Sequence, residues 1–106
     1  MDWQTAEMKQ LVAGLLSLKS PAEARLFLRD LMTESELEDF AKRLETARLL
    51  SAQTPYPVIQ KATGFSTTTI ARVSKWLQQG GGGYQLVLSR LHHTHSNSDS
   101  GGRGLR

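Results

Sequence analysis

Apolar residues recur along this chain at helical spacing, and nowhere in the strict alternation of a half-buried strand. Met8, Leu11, Val12, Leu15, Leu16 and Leu18 predict an amphipathic helix over residues 3–18, begun by Asp2. Ser20-Pro21-Ala22-Glu23 then has the form of a capping box, with proline at the first helical position. It opens a second helix from Pro21 to about Met32, with Leu26, Phe27, Leu28 and Leu31 expected to be mostly buried. Thr33-Glu34-Ser35-Glu36 repeats the device and opens a long third helix through about Ala52. Its apolar stripe is Leu37, Phe40, Ala41, Leu44, Ala47 and Leu50, and Glu38 sits four residues before Lys42 on the wet side.

Thr54-Pro55-Tyr56-Pro57 breaks that helix and starts a fourth, from about Pro55 to Ala62, which Gly64 ends. Ser66 caps a fifth, Thr67 to about Gln79, with Ile70, Val73 and Leu77 facing inward. Gly80 to Gly83 read as a flexible hinge. Tyr84, Val87, Leu88 and Leu91 mark a sixth, terminal helix, and the polar stretch 92–106 is expected to be a disordered tail. The prediction is an all-α fold of six short helices, with residues 1–91 as a single domain. Helices this short share little interior, and the third carries more apolar positions than two neighbours can cover. A second subunit is the simplest remedy.

Composition narrows the functional classes. With no cysteine among 106 residues, disulfides, thiolate catalysis and cysteine-based zinc sites are excluded together, which suits a reducing cytosol. No apolar run nears the roughly 20 residues of a membrane span, and the N-terminus has no signal-peptide pattern. A cytoplasmic protein is expected. The net charge of +3 is unevenly spread. Residues 1–53 hold seven Lys and Arg against nine Asp and Glu, whereas residues 54–106 hold six against Asp99 alone. An acidic half followed by a basic half suggests a scaffold joined to a polyanion-binding region.

That basic half contains the most informative stretch, Val58 to Val73. Two short helices meeting at a glycine turn form the signature of a helix-turn-helix. Ile59, Phe65, Ile70 and Val73 can pack between the helices while Gly64 makes the turn. One position departs from the common pattern: four residues before the glycine stands Gln60 rather than a small residue. Ser66-Thr67-Thr68-Thr69 opens the second of these helices, although threonine is a poor helix former. Short hydroxyls let a helix approach a major groove closely, bond to base edges and offer a methyl to thymine. Thr67, Thr68 and Ala71 are the candidate base readers. Lys61, Ser66, Thr69, Arg72 and Lys75 are the candidate phosphate or positioning contacts.

Other residue clusters carry less chemistry. His92, His93 and His95 stand on the tail without a carboxylate or cysteine at ligand spacing, so no metal site is expected. The four glycines follow no strand and precede no Lys-Ser/Thr, unlike a phosphate-binding loop. Glu34, Glu36, Glu38 and Asp39 place negative charge at a helix N-terminus. No enzyme and no cofactor are expected.

The run Gly64, Ser66, Thr69, Ile70, Arg72, Val73 resembles the Trp repressor superfamily, in particular the Trp-repressor-like proteins of the YerC/YecD type. So do Phe27 to Leu37, Arg43 to Glu45, and Gly83 to Leu91, in the same order and spacing across about residues 20–91. The resemblance implies an intertwined homodimer that presents two recognition helices to successive major grooves about 34 Å apart. It also places Thr33, Arg43, Arg72 and Thr69 where the family holds tryptophan between two arginines. There the family keeps a glycine at the position of Val73 and a serine at that of Trp76. Both changes add bulk, so the pocket formed by Thr33, Arg43, Arg72, Val73 and Trp76 is expected to be vestigial and tryptophan not to be the corepressor. The plainer role for Trp76 is core packing beside Leu77. Together these readings describe a sequence-specific, DNA-binding transcriptional regulator, a repressor that acts on double-stranded DNA as a homodimer. The alternative class is a helical dimeric interaction module with a vestigial helix-turn-helix.

Overall fold

The computed structural model describes the backbone of residues 1–102 and the side chains of residues 1–93. Among the described residues the chain is entirely helical: α1 (Ala6–Leu16), α2 (Pro21–Leu31), α3 (Glu34–Ser51), α4 (Tyr56–Thr63), α5 (Thr67–Gln79) and α6 (Gly83–Gly102). None of these helices is long and apolar enough to cross a membrane. The chain divides within α3 into two compact units, Met1–Asp39 and Phe40–Arg106.

In the first unit the helix starts follow from side-chain caps. The Ser20 hydroxyl accepts from the Glu23 N–H at 3.2 Å, and the Glu23 carboxylate accepts from the Lys19 N–H at 2.9 Å. Thr33 and Glu36 form the reciprocal pair, at 3.1 and 2.9 Å, that begins α3. α1 starts later than the pattern predicts. Asp2 accepts from the Gln4 N–H and makes only a local turn, while Thr5 caps the helix by accepting from the Met8 N–H at 3.2 Å. The apolar stripes of α1 and α2 are the larger surprise. Neither helix has a buried residue; Leu16 is 81% exposed and Leu26, expected inside, is 71% exposed. Phe27 reaches the backbone of α1 at Gly14, but two short helices cannot cover both stripes.

The second unit holds the buried apolar residues Ala47, Ile59, Ile70 and Val73. Thr46 and Thr63 are buried with them, each satisfied by donating to the carbonyl four residues back, Lys42 and Ile59, at 2.8 Å. α5 takes its predicted bounds, and α4 lies one residue later than predicted at each end, with Pro55 as its N-cap. α6 does not stop at Leu91. Past Gly83 no proline appears and the next glycines are Gly101 and Gly102, while Ser, His, Thr and Asn cost a helix only tenths of a kcal/mol each. The stretch expected to be a disordered tail is therefore helical in its backbone through Gly102, and residues 103–106 lie outside the described residues.

Between α3 and α4 the Thr54 N–H reaches back to the Leu49 carbonyl at 3.0 Å, and the residue that reverses the chain is Gln53 at φ +64°. A side chain in this left-handed conformation costs about 1 kcal/mol that glycine avoids. Gln53→Gly should therefore raise stability by about 0.5–1 kcal/mol, read as a higher urea midpoint at unchanged slope, and Gln53→Val should lower it.

Candidate nucleic-acid interface

The candidate interface begins with the turn between α4 and α5. Gly64 ends α4 at φ +79°, and its N–H donates to the Gln60 carbonyl at 2.8 Å. The Thr63 hydroxyl donates to the Ile59 carbonyl and accepts from the Phe65 N–H at 3.1 Å, so one buried oxygen ties the last turn of α4 to the connecting strand of backbone. Ile59, Ile70 and Val73 fill the space between the helices, with Phe65 half-buried at the rim.

Ser66 caps α5. Its hydroxyl accepts from the Thr69 N–H and donates to the Thr69 hydroxyl, both at 3.2 Å. Thr67 and Thr68 in the first turn are exposed, as are Ala71, Arg72 and Lys75; Lys61 is exposed on α4. With Ile70 and Val73 buried, helical geometry sets Thr68, Arg72 and Lys75 in one row on the opposite side of α5, with Ala71 beside it. Arg72 and Lys75 also line a cleft of about 360 Å3 with Trp76, Gln79 and Gly80. The threonine hydroxyls and methyls thus lead the helix and its two cations follow.

The residues matched to the family's ligand pocket are divided between the two units. Thr33 belongs to the first unit, where its side chain caps α3. Arg43 stands on α3 in the second unit, its guanidinium 5.5 Å from the centre of the Phe40 ring. Val73 is a core residue. Trp76 departs from the expected core packing beside Leu77: it is 65% exposed. Its ring lies on the backbone of Gly80, where a Cβ would come within 2.5 Å of both Trp76 Cε3 and the Trp76 carbonyl oxygen. The indole separates the basic cleft from an apolar one of about 560 Å3 lined by Leu44, Gly81, Gly83, Tyr84 and Val87. The contact of Trp76 with Gly80 is local, between α5 and its own C-cap four residues on, but helical periodicity alone does not reveal it.

Sequence reasoning also missed Thr63. A threonine directly before a left-handed glycine was the available signal, since its hydroxyl can bond both to its own helix and to the chain beyond. Thr63→Val keeps the shape and removes both bonds, orphaning the Phe65 N–H. The expected cost is about 1–3 kcal/mol in chemical denaturation, with helix content by circular dichroism retained.

The model of the Trp repressor protein family matches residues 6–92. The protein YerC of Bacillus subtilis (strain 168) is 40% identical over 94 residues, covering 89% of this chain and 90% of that protein. A crystal structure of a TrpR-like protein from Eubacterium eligens superposes with a TM-score of 0.81 at 38% identity, covering 85% of this chain and 93% of that one. A candidate Trp repressor from Staphylococcus aureus gives 0.80 at 30% identity, over 87% and 95% of the two chains. A family match over residues 6–92 and structural matches of this extent assign the fold, and the chain belongs to the Trp repressor family.

Proposed function

We propose that this protein is a homodimeric transcriptional regulator that binds duplex DNA sequence-specifically through α4 and α5 and represses by occupying a promoter. The observation that carries this reading is the outward row of α5. Thr68, Arg72 and Lys75 stand opposite the buried Ile70 and Val73, on a helix capped by Ser66 and set by the Gly64 turn. Thr67, Thr68 and Ala71 read base edges. Lys61, Arg72 and Lys75 meet phosphates, and Ser66 and Thr69 position the helix N-terminus against the backbone. The exposed stripes of α1 and α2 support the dimer, because a second chain covers apolar side chains that this chain leaves in water. The protein works in the cytoplasm and no residue is assigned a catalytic role.

L-tryptophan is not the corepressor in this reading. Val73 is committed to the core, and the Trp76 indole occupies the ground between Arg72 and the apolar cleft. Isothermal calorimetry should detect no stoichiometric micromolar binding of L-tryptophan; a one-per-subunit isotherm would reverse this conclusion.

The decisive experiment is selection of bound duplexes from a random library, with the oligomeric state measured on the same preparation. A palindromic site with half-sites about one helical turn apart, bound by a dimer, is the expected result. Affinity for it should fall steeply with added salt as phosphate counterions are released. Thr68→Glu should abolish specific binding without unfolding the protein, and cognate affinity surviving that change would displace α5 from the groove. A clean dimer that enriches no sequence would point instead to the interaction module.

A further inference from the structure

Gly80, Gly81 and Gly82 join the C-terminal end of α5 to α6, a linker that by composition lets the two helices pivot. A side chain crosses it. Gln85 Nε2, in the first turn of α6, donates to the Leu77 carbonyl at 2.7 Å. Leu77 lies in the last turn of α5, where carbonyls have no partner within the helix. Gly80 itself is tied to α5: its N–H donates to the Trp76 carbonyl at 2.9 Å, and a Cβ built on it would come within 2.5 Å of Trp76 Cε3. Gly82, at φ +91°, then turns the chain so that its carbonyl accepts from the Leu86 N–H at 3.0 Å.

We infer that Gln85 is a positioning residue: its bond to the Leu77 carbonyl sets the angle of α5 against α6, and through that angle the half-site spacing the protein accepts on DNA. The second part rests on the dimeric DNA-binding reading above. A helix of thirteen residues is about 20 Å long, so a tilt of about 10° at one end moves the other by about 3.4 Å, one base-pair step. In a two-fold dimer such a tilt acts on both recognition helices at once. Gln85 stands on α6, outside the two helices assigned to the DNA, so its effect reads as geometry rather than as a lost DNA contact.

The test uses the full-length protein with Gln85→Met, nearly isosteric but without a donor, and Gln85→Lys, whose ammonium can donate to a carbonyl at a helix C-terminus. Affinities are measured for duplexes carrying the selected half-sites at the preferred spacing and one base pair longer or shorter. Gln85→Met should reduce the preference for the selected spacing about fivefold, the scale of one neutral hydrogen bond, and Gln85→Lys should restore it. Hydrogen exchange on the free protein supplies a reading independent of DNA. Amides of residues 77–80 should exchange faster in Gln85→Met while those of residues 59–65 do not change. An unchanged spacing preference, or unchanged exchange at residues 77–80, overturns the inference. A wild type that binds no duplex overturns the DNA-binding reading instead, and exchange then decides alone whether Gln85 holds α5.

Discussion

The second unit depends on the packing of α4 against α5 around one reversed turn. Ile59, Ile70 and Val73 meet only because the chain changes direction within three residues, and Gly64 makes that change at φ +79°. Burying those side chains contributes about 1.5–3 kcal/mol each, and it also removes the Thr63 hydroxyl from water. That hydroxyl is tolerated because it has both a donor and an acceptor within reach. Packing, turn and hydrogen bonds therefore reinforce one another, and the outward row of α5 is the exposed consequence of what its inward row buries.

The first unit depends on a different balance. Its helices are well capped, and capping satisfies N–H groups without burying apolar surface. α1 and α2 thus form for local reasons while their stripes remain uncovered. A domain this small has little interior to offer them.

Charge and shape divide along the chain in the same sense. The half before Thr54 is acidic and carries the exposed stripes of α1 and α2, and the half after it is basic and carries the α4–α5 turn. Leu86, Val87 and Leu91 are also exposed on α6. Within the basic half the cations do not cluster at random: Arg72 and Lys75 share one cleft and one face of α5, with Trp76 beside them. Elsewhere positive charge is locally engaged, as where Arg48 forms a two-point ion pair with Glu45 and holds that carboxyl below the usual carboxylate range. Bonding within its own helix makes this pair a local support for α3.

Much of the fold was legible in the sequence because its signals are local. Caps such as Ser20, Thr33 and Ser66, the prolines at the start of α4 and the αL glycine at 64 act within a few residues of themselves, so they set helix starts and stops without reference to the rest of the chain. The candidate base-reading row was legible for the same reason, since helical periodicity opposes Thr68 to Ile70 and Val73. What the tertiary structure decided is nonlocal. Periodicity identified the stripe of α2 but not whether anything covers it, and the end of α6 had no local stop signal at Leu91. The bond from Gln85 to Leu77 exists only once two helices face each other across the glycine linker. Local chemistry determined where the helices are; only packing decided which side chains are buried and how α5 is held.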